Sequence, residues 1–134
     1  MSTRAIIIGI ALFLATGTAH AVELPDDALG NWCYANGTYD TRVVMIRDSR
    51  ANQPKNCSNP EEGMTINKDG YDEVESECKL GKIEQSSPNT FLAQTRCEAI
   101  SEGDGTPNGH VYTQNLEIQT IDERLMIVRL LPET

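Results

Sequence analysis

The chain has 134 residues, 20 of them acidic and 11 basic, for a formal net charge of −9 at pH 7. That length suits one domain with a single small core. The charge argues against nucleic acid, whose phosphates repel such a surface, and favours a cationic partner if the acidity does more than keep the protein soluble.

Arg4 in a short polar opening is followed by an apolar run from Ala5 to Ala15 and by Thr16-Gly17-Thr18-Ala19-His20-Ala21. A basic start, an apolar stretch too short to span a bilayer and a small-x-small site predict a signal peptide over residues 1–21, cleaved after Ala21. The competing reading is an uncleaved anchor. No cysteine lies beside the site, which argues against a lipoprotein. Cleavage leaves ten basic residues against twenty acidic ones, a net charge of −10. The expected product is periplasmic or secreted, with no stable membrane anchor.

All four cysteines, Cys33, Cys57, Cys78 and Cys97, fall after that site. An even count behind an export signal predicts two disulfides. No C-x-x-C occurs, so a zinc ribbon or a thioredoxin-like redox pair has no support.

Residues 22–29 form a short acidic lead-in with Pro25, read as an exposed arm, and residues 30–134 form the disulfide-bonded β-domain. The first strand carries Trp32 and Tyr34 on one parity, facing the core, and ends at an Asn36-Gly37 turn. Asp40 to Arg47 is a second strand with a continuous apolar centre. From Asp48 to Gly63 the composition turns polar around Cys57, and a loop of this length needs a tether, which a Cys57 disulfide supplies. Thr65 to Cys78 then reads as a hairpin turning at Asp69-Gly70, a pair that tolerates positive φ. It holds five carboxylates in nine residues: Asp69, Asp72, Glu73, Glu75 and Glu77.

Lys79 to Gln85 continues as strand, Ser86 to Asn89 turns, and Thr90 to Ala99 returns. Cys78 and Cys97 are equidistant from the centre of that turn, so a regular hairpin places them opposite each other. That favours Cys78 with Cys97 and leaves Cys33 with Cys57. Parity opposes this: if Ile83 and Phe91 share the core face, the register slips by one and the cysteines part. A bulge at Gly81 would reconcile the two. Cys57 with Cys78 is also within reach. After a Gly-rich loop, His110 to Ile121 alternates with Tyr112, Leu116 and Ile118 on one face. Leu125 to Leu131 is the most apolar strand, expected to be covered on both sides. The sum is an all-β antiparallel meander of seven or eight strands, barrel-like in preference to a sandwich because closure removes the edges.

The chemistry is sparse. His110, the one histidine outside the signal, has no nucleophile motif around it and reads as an exposed strand end. Asp72, Glu73, Glu75 and Glu77 could in principle serve a carboxylate-based hydrolase. They read better as the solvated face of a strand and as a candidate interaction surface. Glu102, Asp104 and Asn108 could offer oxygens to calcium, but their spacing is not that of an EF-hand, and an ordinary polar turn is preferred. No metal or cofactor is expected. Asn36-Gly37-Thr38 and Asn56-Cys57-Ser58 are sequons that matter only in a glycosylating host.

Gly30-Asn31-Trp32-Cys33, Ile66 through Gly70-Tyr71, Glu75-Ser76-Glu77-Cys78 and Arg96-Cys97 together resemble an uncharacterised family of small exported alphaproteobacterial proteins, with the pattern G-x-W-C, I-x-x-x-G-aromatic, E-x-x-C and C. The resemblance implies a periplasmic or secreted four-cysteine β-domain and carries no catalytic residue. The Gly30-x-Trp32 opening also resembles lipocalin-type barrels and small periplasmic protease-inhibitor barrels. The expected function is non-catalytic binding of an unknown protein or small ligand, possibly cationic, at the barrel mouth or along the acidic hairpin. The alternative is inhibition of a secreted hydrolase such as a lysozyme or a protease, and an enzyme is the least favoured reading.

Overall fold

Alternation along each strand decides what faces inward. Trp32 and Tyr34, Val43 and Met45, Met64 and Ile66, Leu116 and Ile118, and Met126 and Val128 are each spaced by two residues, and all are buried. The computed structural model describes residues 22–35, 42–58, 62–73, 75–101 and 106–132. The signal segment, the Asn36-Gly37 turn, Val74, and Glu102 and Asp104 lie outside the described residues. The strands are β1 (Gly30–Tyr34), β2 (Arg42–Ile46), β3 (Gly63–Ile66), β4 (Gly70–Glu73), β5 (Ser76–Ser87), β6 (Thr90–Ile100), β7 (Pro107–Thr120) and β8 (Leu125–Leu131). They close into an antiparallel barrel in the order β1-β2-β8-β7-β6-β5-β4-β3, stapled by Cys33–Cys57 and Cys78–Cys97. No helix among the described residues is long and apolar enough to cross a membrane.

From β3 to β8 the chain is a plain meander. The β1–β2 hairpin then fills the gap in reversed order, β1 against β3 and β2 against β8. Because β1 is antiparallel to both of its neighbours, β2 and β3 run the same way, and the segment joining them has to recross the outside of β1. This is why a long polar loop stands at that place. It is held at two points, by Cys57 bonded to Cys33 and by Gln53, whose Oε1 accepts from the Asn31 N–H at 3.0 Å. Gln53 lies where a side chain at position 30 would go: Gly30 has φ of 109°, and a Cβ there would sit 2.5 Å from the Gln53 amide.

The Thr65 to Cys78 stretch differs from its sequence reading in two ways. Its turn is centred on Lys68 and Asp69, with Asn67 Oδ1 accepting from the N–H groups of Asp69 and Gly70 at 2.8 and 2.9 Å. Gly70 is not at positive φ; it is needed because a Cβ there would lie 2.1 Å from the Cys78 carbonyl oxygen. The second strand also stops at Glu73, and the chain folds back so that Tyr71 pairs with Cys78 in β5. The bulge expected near Gly81 is present, as a register shift between Leu80 and Ile83. It lets Cys78 and Cys97 pair while Ile83 and Phe91 both stay inside.

The arm over residues 22–29 is not the exposed lead-in its composition suggests. Leu24 and Ala28 are 3% and 0% exposed, and a short 3-10 helix, Asp26–Ala28, caps one end of the barrel. Ala28 O accepts from Trp32 Nε1 at 3.0 Å. Arg47, just past β2, is itself buried. Its guanidinium donates to the carbonyls of Leu29, Asp27 and Glu123 and lies 4.0 Å over the Trp32 ring. Desolvation lowers its pKa and Asp27 opposes the shift, but a guanidinium stays charged at neutral pH. In β8 only Met126 and Val128 are fully buried, while the outer residues are partly covered and Arg129 is exposed, so that strand is covered on one side.

Arg47→Leu leaves three carbonyls without a donor and is expected to cost about 3 kcal/mol in urea unfolding followed by Trp32 fluorescence, with Arg47→Lys losing about half of that. Gly70→Ala is expected to cost about 2 to 4 kcal/mol in the same assay, because the Cys78 backbone has to move.

Candidate functional site

Antiparallel register carries one outward position from strand to strand. Thr65 pairs with Asp72, Asp72 with Glu77, Glu77 with Glu98, and Glu98 with Val111. Three carboxylates therefore stand on adjacent strands, which are spaced about 4.8 Å apart. Desolvation by burial pushes the Asp72 carboxyl above its ordinary value, and the neighbouring Glu77 adds to the effect.

Of the four carboxylates singled out in the sequence, Asp72 and Glu77 meet in this row. Glu75 lies in the exposed turn between β4 and β5, its carbonyl accepting from the Ile100 N–H at 2.8 Å. Glu73 is not on the solvated face. It has the inward parity of Tyr71, and its oxygens accept from Tyr34 Oη at 3.0 Å and Ser76 Oγ at 3.2 Å. Burial raises its pKa above the ordinary 4.5, and the two hydroxyl donors oppose that rise. Glu98 was missed, although the Cys78–Cys97 pairing alone places it opposite Glu77.

At the β3 side of the row, the crossing loop and the β3–β4 strands enclose a crevice of about 340 Å³. Its walls include Asn31, Lys55, Asn56, Thr65, Asp72 and Glu73. Asp72 is thus shared between the carboxylate row and the crevice, and Lys55 is the one cation among the described residues of its wall.

The barrel interior offers a second polar group. Tyr71 Oη donates to Gln114 Oε1 at 3.2 Å and lies 3.5 Å from Thr95 Oγ1, and burial holds its phenol protonated far above the ordinary range. Trp32, Met45, Leu116 and Met126 are fully buried in the same core, and the Tyr71 contacts tie β4 to β6 and β7. His110 is exposed, 5.8 Å from the Tyr112 ring, and its N–H is held by Asn108 Oδ1. No group of three His, Cys, Asp or Glu side chains among the described residues is arranged to hold a metal ion. Compared with family models, with curated proteins and with solved structures, the chain matches none.

Since Glu73 has a higher pKa folded than unfolded, the folded state binds more protons between the two values, and stability falls as pH rises through that window. Glu73→Gln keeps an acceptor for Tyr34 and removes the charge. Its stability relative to wild type is expected to be greatest near neutral pH and to shrink as pH falls towards 4.5, as measured by urea unfolding across that range.

Proposed function

We propose that this is an exported, non-catalytic binding protein of the periplasm or extracellular space, which takes a cationic partner on the carboxylate row and the crevice beside it. One observation carries the reading: Asp72, Glu77 and Glu98 stand in register on neighbouring strands, and Asp72 is already held above its ordinary pKa by burial and by Glu77. A cation seated there relieves the repulsion between them. The two disulfides suit an oxidising compartment. Large side chains, Trp32, Met45, Leu116 and Met126, are fully buried in the core, which favours a site on the outside of the barrel. All four cysteines are held in disulfides, which removes a thiol nucleophile and favours binding over catalysis.

A second reading narrows the partner to a secreted hydrolase that the protein inhibits. The molecule's negative charge favours a cationic lysozyme over a protease as that target, because long-range attraction speeds encounter.

Lysozyme is expected to bind at about 20 mM salt and to weaken at least tenfold by about 200 mM, as surface charge is screened. Asp72→Asn with Glu77→Gln should cost a further tenfold or so in calorimetric titration. Absence of binding at low salt, or equal binding by the neutralised variant, would sink the cationic-partner reading. Loss of lysozyme activity on binding separates inhibition from simple capture.

A further inference from the structure

The outer face of β5 and β6 carries a charge pattern that is wrong for a monomer. Glu77 lies directly opposite Glu98, and one step along the strands Lys79 lies directly opposite Arg96. Like charges in register repel, and exchanging Arg96 with Glu98 along β6 would have given two favourable contacts instead. Among the described residues neither cation has an ion pair, although Lys82 reaches Glu84 at 2.6 Å and Arg129 reaches Glu117 at 3.3 Å elsewhere on the surface. Glu77, Lys79 and Arg96 are exposed, Glu98 is half-exposed, and Val111 beside Glu98 is an apolar side chain with 42% exposure. The four charged groups rim a shallow depression of about 290 Å³. Beneath it Cys78 is bonded to Cys97, which fixes the two strands that carry them.

We propose that this face is the interface of a homodimer with a two-fold axis lying across the strands, over the Cys78–Cys97 rung. Rotation about such an axis preserves position across the sheet and reverses position along it. The acidic row of one copy then lies over the basic row of the other: Glu77 over Lys79 of the second copy, Glu98 over Arg96 of the second copy, and the reciprocal pairs. The two repulsive pairs in each chain become four attractive contacts between chains. A second copy is the occupant because it is the partner whose charges match row for row, and a two-fold contact has to be self-complementary in this way. The described strands close on one another, so none of them offers a free edge for pairing between copies, which favours a contact between sheet faces.

The contact is small and polar, with a dissociation constant on the order of 100 µM. Net charge opposes it at long range, but that repulsion is screened beyond about 8 Å at physiological ionic strength while the four contacts are not. The dimer and the cationic partner proposed above draw on the same Glu77 and Glu98, so the two are exclusive, and excess lysozyme is expected to return the dimer to monomer.

Sedimentation of the purified protein at about 150 mM salt is expected to show a monomer–dimer equilibrium up to about 1 mM protein, and a return to monomer near 1 M salt. Lys79→Glu/Arg96→Glu and Glu77→Lys/Glu98→Lys should each be monomeric, and an equimolar mixture of the two should restore the dimer. Trp32 fluorescence and intact disulfides establish that the variants fold; if a reversal misfolds, Lys79→Gln/Arg96→Gln should weaken the dimer about tenfold. A monomeric wild type throughout, a dimer indifferent to these changes, or a mixture that stays monomeric overturns the proposal. Lys79 and Arg96 take no part in cation binding, so lysozyme binding kept by the Lys79→Glu/Arg96→Glu variant separates failure of the dimer from failure of the partner reading.

Discussion

One guanidinium holds the closed end of this barrel. Arg47 leaves β2 and turns inward over the Trp32 ring, where it meets carbonyls from the N-terminal arm and from the turn between β7 and β8. Three separate parts of the chain therefore converge on one planar fork of donors. The 3-10 helix at Asp26–Ala28 is too short to satisfy its own carbonyls, and burying it demands a donor from elsewhere. A cation in that place is stable because each of its three nitrogens donates to a carbonyl and its plane lies over an aromatic face. Pack Leu24 and Ala28 against the core without it, and the same burial becomes unfavourable.

The topology places a similar demand on the other side of the barrel. Inserting the β1–β2 hairpin in reversed order sends a polar loop across β1, where backbone pairing cannot restrain it. Cys33 has outward parity, opposite to Trp32 and Tyr34, and so can reach Cys57 in that loop. Cys78 and Cys97 have inward parity and cross-link the wall from within. Two disulfides of similar sequence separation thus do different jobs, one tethering a loop and the other fixing a register.

Much of this was legible in residue order, because alternation is a local signal. The inward faces of β1 and β7 follow from parity, and turn position favours the cysteine pairing, which a slip at Gly81 reconciles with parity; the continuous apolar centre of β2 hides its inward face from alternation. The reversed hairpin was not legible, since β1 against β3 and β2 against β8 are contacts between distant strands with no local mark. Arg47 read as the polar end of a strand, and its burial depends on carbonyls up to 76 residues away. In the candidate site, Asp72 and Glu77 were visible as acidic residues, yet their adjacency requires the chain to fold back after Glu73. Read as one continuous strand through Cys78, the segment also placed Glu73 with the solvated carboxylates. Glu98, Lys79 and Arg96 could have been found by applying the favoured cysteine pairing to the residues on either side of it.

The reversed hairpin bears on the order in which the molecule can be made. Val43 pairs with Val128, and Met45 with Met126, so β2 has no partner on one side until the last described strand exists. A chain emerging from its N-terminus must carry β1 and β2 as an open ribbon through the synthesis of everything between. Contacts of such long sequence separation form slowly, and an unpaired apolar ribbon is the kind of edge that recruits other chains. The interval before β8 arrives is therefore when this protein is most exposed to proteases and to its own copies. An escort that covers β2 during that interval would act on yield while leaving the finished barrel unchanged.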